Sequence, residues 1–184
     1  MRRPDALLER WEGQPLDALL EYLGVRQSHL EDYRAPRQAV ANPEDLVTFP
    51  LEGYAHIWLT AACAQAAQAM ILAAERDQIT LYPISGYRTL AYQAMLIQRK
   101  LDRGDTLQSI MRVNALPGFS EHHTGDALDL GTNTDTDLEP AFEKTRAFRW
   151  LSQNAGTHGF SLSYPHNNPD GFIYEPWHWC FSAA

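Results

Sequence analysis

The sequence predicts an α+β fold: a small, mainly antiparallel sheet with helices packed on it. Three observations lead there. Apolar patterns of helical period come first, and short strand-like runs follow. Most of the later runs are joined by turns and loops rather than by crossover helices, which is the pattern of an antiparallel sheet. A chain of 184 residues, 45% hydrophobic and 21% charged, can bury a core without disulfides or a structural metal.

The elements follow in order. Residues 1–50 read as an N-terminal extension of short helices and loop, and 51–184 as the main domain. Pro15 to Leu23 places Leu16, Leu19, Leu20 and Leu23 on one helical face, with Gly24 as the stop. Prolines 36, 43 and 50 mark an extended loop. Ile57 to Arg76 is the clearest helix, with Leu59, Ala62, Cys63, Ala66, Met70 and Ala73 in period. Gln78 to Ser85 reads as a strand, placed at an edge or bulged by Pro83. Helices are expected over about 90–102 and over about 140–155, the latter with Pro140 in its first turn and Gly156 as its stop. Short strands are expected at Ala127–Leu130, Phe160–Tyr164, Phe172–Tyr174 and Trp177–Phe181.

Charge and composition narrow the function. A net charge of −8 disfavours nucleic acid and anionic membrane surfaces as partners. No apolar run reaches the roughly 18 residues of a membrane span, and no signal-peptide core follows the start, so a cytoplasmic location is expected if Met1 is the natural start, and an envelope location if a leader was removed. Cys63 and Cys180 lie in apolar surroundings and read as two free thiols, with a disulfide between them left open.

The chemistry concentrates in SEHHTGDALDLGT, from Ser120 to Thr132. Strand alternation puts Asp126, Leu128 and Leu130 on one face and Ala127 and Asp129 on the other. Asp129 then shares its face with a small alanine, which leaves room for a metal, and Gly125 can fold a histidine back over the strand. An imidazole and a carboxylate would be two of the three protein ligands of a catalytic zinc. A polar turn with a solvated histidine pair explains the stretch equally well at this point. In YEPWHWCF, His178 sits among aromatics with Glu175 nearby as a candidate general base. Positions 175 and 178 would face opposite ways in a regular strand, so a turn or bulge at Pro176 is expected. A satisfied core histidine is the alternative there. In SGYRTLAYQ, Arg88 at a strand-to-helix junction could clamp a carboxylate or an oxyanion, or simply be solvated.

The three stretches together resemble one family. Ser120, His122, Gly125, Ala127 and Asp129 match the S-x-H-x-x-G-x-A-x-D signature of VanY-type D-alanyl-D-alanine carboxypeptidases. SGYRTLAYQ is similar to that family's S-x-Y-R-S-x-x-x-Q segment, with Thr89 in place of Ser, and HGFSLSYPHNNPDGFIYEPWHW is similar to its closing segment. The resemblance covers about residues 57–181 and finds no counterpart in 1–50. It implies the fold shared with hedgehog domains and a zinc carboxypeptidase catalytic domain over 51–184. It further implies one zinc ion held by His122, Asp129 and His178, with Glu175 as catalytic base and Arg88 as the residue that binds or polarises substrate. Ser120, Gln93, Tyr87 and Trp177 fall on the substrate side. His123 is out of register for metal. Trp179 departs from the family pattern, where a smaller or polar residue is usual, and is expected to alter the pocket wall; His166 is a further candidate for the cleft.

The implied function is removal of a C-terminal D-alanine from a peptidoglycan stem peptide or muropeptide. The missing export signal favours L,D-carboxypeptidase action on tetrapeptides in muropeptide recycling. The alternatives are D,D-carboxypeptidase action on pentapeptides, an endolysin-like L-alanyl-D-glutamate endopeptidase, and a non-catalytic peptidoglycan-binding module.

Overall fold

The computed structural model describes residues 6–54, 56–134 and 137–183. Three short helices open the chain: α1 (Ala6–Trp11), α2 (Leu16–Tyr22) and α3 (Gln27–Glu31). A two-stranded ribbon follows, in which β1 (Leu46–Thr48) pairs antiparallel with β2 (Trp58–Thr60). The helix α4 (Ala61–Arg76) leads to β3 (Tyr82–Ser85), and α5 (Leu90–Asp102) and α6 (Leu107–Ile110) come next. The rest is β4 (Ala127–Gly131), α7 (Arg146–Asn154), β5 (Phe160–Leu162) and β6 (His178–Phe181). The main sheet has the order β3-β4-β6-β5, antiparallel at every pairing.

The sheet separates two apolar clusters. Leu128 and Leu130 of β4 and Trp179 of β6 join Met70 and Ile71 of α4 and Trp150 and Leu151 of α7. A second cluster brings Trp11, Leu19 and Leu20 onto Ala94 and Ile97 of α5, with Tyr164 and Phe172. The alternation expected along β4 is therefore used: Leu128 and Leu130 enter the first core, and Asp129 between them is left for the other side.

Several expected elements change. The helix expected from Ile57 begins only at Ala61, because Thr60 caps it with its hydroxyl on the Cys63 N–H (3.2 Å). The residues before it, Trp-Leu-Thr, suit a strand and form β2. The strand expected from Gln78 pairs only from Tyr82; Gln78 has φ 60° and ends the helical segment instead. β3 is an edge strand, and its register shifts between Pro83 and Ser85. The helix expected over 140–155 is divided by Thr145, whose extended backbone ends a 3-10 helix at Pro140–Lys144 and whose hydroxyl caps α7. Phe172–Tyr174 forms no strand; Asn168 binds the backbone of Phe172 at both ends, and the Ile173 N–H goes to Arg112 O. β5 stops at Leu162 and β6 starts at His178, each shorter than expected. α1, α3 and α6 and the β1–β2 ribbon carry no clear periodic signal because they are short.

The boundary expected at residue 50 falls inside this ribbon. Gln38 N–H also donates to Gly118 O (2.9 Å), Ala41 N–H to His123 O (2.8 Å), and the Tyr33 hydroxyl accepts from Leu116 N–H (3.0 Å). Among the described residues no helix is long and apolar enough to cross a membrane. A chain beginning at Phe49 would lose β1 and uncover the α5 face that Trp11, Leu19 and Leu20 bury. At about 1.5–3 kcal/mol per large apolar side chain, such a truncation is expected to be insoluble or to melt far below the full chain. An unchanged melting temperature would contradict this.

Candidate metal centre

The site is built on a cross-strand row. In the main sheet Ser85 of β3, Asp129 of β4 and His178 of β6 lie opposite one another. Residues opposed across antiparallel strands share a face. The Asp129 carboxylate therefore meets the His178 ring directly, Oδ1 to Nδ1 at 3.0 Å. Its second oxygen takes His122 Nε2 at 3.2 Å and Arg88 Nη2 at 2.6 Å.

His122 arrives from a 3-10 turn, Glu121–Thr124, closed by Gly125 at φ 77°. The left-handed backbone at Gly125 favours glycine there, and a Cβ would also press on Leu46 Cδ2 at 2.7 Å and on the Thr60 backbone nitrogen at 3.2 Å. The adjacent histidines then separate. His122 Nδ1–H donates to Gly86 O (2.7 Å), which leaves the Nε2 lone pair facing Asp129. His123 is fully buried and points away: its Nε2 accepts from Gly118 N–H (3.1 Å) and its Nδ1 donates to Arg88 O (2.7 Å). His123 is thus a brace between the loop before the turn and the backbone of Arg88.

His178 and Glu175 are joined by the turn expected at Pro176, with His178 N–H donating to Glu175 O (3.1 Å). That turn puts both residues on a cleft of about 220 Å³ with Arg88, Gln93, Ser120 and Trp177. Tyr87 is not among the cleft residues; it lines a separate surface pocket with His56 and Tyr92, and its N–H goes to Trp58 O (2.8 Å). Gln93 is 1% exposed and gives its amide N–H to Ala115 O (2.8 Å). His166 is exposed and stacks on Tyr174 outside the cleft. Trp179 is turned into the first core, its Nε1–H on Pro176 O, and so does not alter the pocket wall as expected. Cys63 and Cys180 are free thiols.

Two neighbours of the site were not visible as such in the sequence. Glu121 Oε2 accepts from His178 Nε2 at 2.8 Å. Tyr164 stacks on the His178 ring at 4.7 Å and 29°. Their only sequence signal is proximity to a motif, since pairing with His178 spans the fold.

The donors fit a metal. One ligand atom each from His122, Asp129 and His178 lies within 4.8 Å of the others, all three residues buried. Two nitrogens and one oxygen form a catalytic zinc set with a position to spare. The outer nitrogens are engaged, His122 Nδ1 by Gly86 and His178 Nε2 by Glu121, which fixes the rings and the inward lone pairs.

The electrostatics of the three donors favour such a guest. Burial works against an ionised Asp129, but His122 and Arg88 outweigh it and hold the carboxyl well below the usual range. Burial, with the Arg88 cation beside it, pushes His122 down to about 4, so its ring is neutral. For His178 burial also opposes charge, yet hydrogen bonds to Asp129 and Glu121 raise it to about 10. A metal at Nδ1 must displace that proton. A ring raised this way is protonated at neutral pH, so zinc binding at pH 7 should release close to one proton, and apparent zinc affinity should rise with pH above neutrality. Calorimetry in buffers of different ionisation enthalpy measures the release; zinc binding without it would contradict this charge state.

The D-alanyl-D-alanine carboxypeptidase family matches residues 56–184. The chain is 34% identical over 119 residues to YodJ of Bacillus subtilis (strain 168), covering 62% of this chain and 43% of that protein. It is 33% identical over 127 residues to a D-alanyl-D-alanine carboxypeptidase of Enterococcus faecium, covering 67% and 37%. The chain therefore spans less than half the length of these two relatives. The solved structure of the LD-carboxypeptidase LdcB superposes with a TM-score of 0.65 at 30% identity, over 77% of this chain and 69% of that one. On the extent of the match and the shared fold, the chain belongs to the D-alanyl-D-alanine carboxypeptidase family.

Proposed function

We propose that the chain is a zinc metallocarboxypeptidase that removes the C-terminal D-alanine of peptidoglycan stem peptides. The observation that carries this is the placement of Glu175 in one cleft with His122, Asp129 and His178. Burial raises the Glu175 carboxyl, and Asp129 adds to it, against the pull of His178, Arg88 and Lys100; the balance is about 7. A carboxylate poised there can both take and return a proton near neutral pH.

Zinc held by the three ligands would lower the pKa of water toward about 7 and polarise the scissile carbonyl. Glu175 takes the proton of the attacking water and later gives it to the leaving amine. Arg88, anchored by Asp129 and by Ser85 Oγ (2.9 Å), presents its remaining N–H groups at a fixed angle to the oxyanion. Ser120, 3% exposed, and Trp177, 8% exposed, wall the space for the terminal residue.

Within this activity we favour L,D-cleavage, which converts a tetrapeptide to a tripeptide, since LdcB, an LD-carboxypeptidase, shares fold and 30% identity. The D,D-reading on pentapeptides has its own support in the Enterococcus faecium relative.

Mass spectrometry after incubation with defined tetra- and pentapeptide muropeptides tests the proposal. Free D-alanine from the tetrapeptide is expected; from the pentapeptide alone, the D,D-reading replaces it. Release of an intact stem peptide would indicate an endopeptidase and overturn both. Glu175→Gln is expected to keep zinc and lose at least a hundredfold in kcat. Because Glu175 must be ionised to act as base, activity should fall as pH drops below its pKa, which a bound cation lowers from about 7. Full activity in Glu175→Gln would favour a role without catalysis by this residue.

A further inference from the structure

Two cations line the cleft, Arg88 and Lys100. Arg88 is committed, with Nη2 on Asp129 Oδ2 at 2.6 Å and Nε on Ser85 Oγ at 2.9 Å. The first contact holds it against a metal ligand and the second against β3. Lys100 is different. It follows Gln93 by two turns of α5, roughly 10 Å along one face at 1.5 Å per residue. Its ammonium makes no hydrogen bond or ion pair among the described residues. Half-buried, it loses hydration without gaining a partner, and Arg103 beside it adds repulsion. The nearby charges that favour its ionised form are Asp105 and Glu175. An unpaired cation in a cleft next to a candidate base is placed for an anionic ligand.

A carboxypeptidase substrate supplies one. The amine that Glu175 must reach and the terminal carboxylate of the leaving residue are attached to the same carbon. A cation close enough to act on Glu175 is therefore close to where that carboxylate lies. A second source is a side-chain carboxylate on the penultimate residue, which would approach from the same wall of the cleft.

We propose that Lys100 is a specificity-determining residue of this cleft, the cation that takes a carboxylate of the peptide substrate. The proposal rests on the cleft being the peptidase site. It adds a cation to the recognition side of the cleft, beside Arg88, which Asp129 and Ser85 hold in place, and Gln93, whose amide N–H goes to Ala115 O.

The test is equilibrium binding to the zinc-loaded Glu175→Gln protein, in which turnover is suppressed. Three short D-alanine-terminated peptides are compared: the free acid, its C-terminal amide, and a free acid with a carboxylate on the penultimate side chain. One charge-assisted hydrogen bond should favour the free acid over the amide by about 10- to 100-fold. Lys100→Met should erase that preference and Lys100→Arg should keep most of it. Zinc affinity and melting temperature should be unchanged in both, which separates recognition from folding. If Lys100→Met instead erases only the gain from the side-chain carboxylate, Lys100 reads the penultimate residue and the proposal stands with that source. If all three affinities stay within about twofold in Lys100→Met, the proposal is overturned while the peptidase reading survives. If no peptide binds any of these proteins, the peptidase reading fails and the proposal with it.

Discussion

Asp129 and His178 face each other across β4 and β6, Oδ1 to Nδ1 at 3.0 Å. The rest of the site is arranged around that pair. β3 brings Ser85 into the same row, Ser85 holds Arg88, and Arg88 holds the other Asp129 oxygen. The Glu121–Thr124 turn lowers His122 onto that oxygen. The turn after Glu175 then places the candidate base beside His178. A one-residue slip between β4 and β6 would turn His178 to the face away from Asp129. The register is set by the opposite face, where Leu128, Leu130 and Trp179 are locked into the core. Packing on one side of the sheet thus fixes chemistry on the other.

The same cluster is an electrostatic compromise among buried charges. Two carboxylates, Asp129 and Glu121, enclose a protonated His178, while His122 stays neutral because a second buried cation next to Arg88 would be unfavourable. Each buried charge has a partner, which is the condition for tolerating it. Glu121 holds the outer nitrogen of the His178 ring and so turns Nδ1 toward Asp129. Backbone constraints make the arrangement specific. Gly86 must lie against Trp58, where a Cβ would come within 2.7 Å of its carbonyl, and the Gly86 carbonyl is the group that orients His122.

Much of this was legible in the sequence, and for identifiable reasons. Strand alternation separates Asp129 from the leucines around it, and Asp126 indeed turns the other way to accept from Thr60 Oγ1 (2.5 Å). The need for a turn at Pro176 follows from the spacing of Glu175 and His178. Residue types alone did not distinguish His122 from His123; the family register did, and the structure gives His123 a bracing role that no local pattern encodes. Glu121 and Tyr164 act on His178 from across the fold, and Lys100 becomes notable only because its helix face meets the cleft. Tyr87, by contrast, belongs to a motif yet faces another pocket. In the fold, helix ends were misplaced where a threonine cap outweighed apolar period, at Thr60 and Thr145.

The atoms that hold the metal decide the chemistry of this cleft. X-ray absorption at the zinc edge of the stoichiometrically loaded protein reads them directly. The structure predicts two imidazole nitrogens and carboxylate or water oxygens at about 2.0–2.2 Å, with no sulfur. A zinc–sulfur distance of about 2.3 Å would place the ion at Cys63 or Cys180 and contradict the His122, Asp129 and His178 centre.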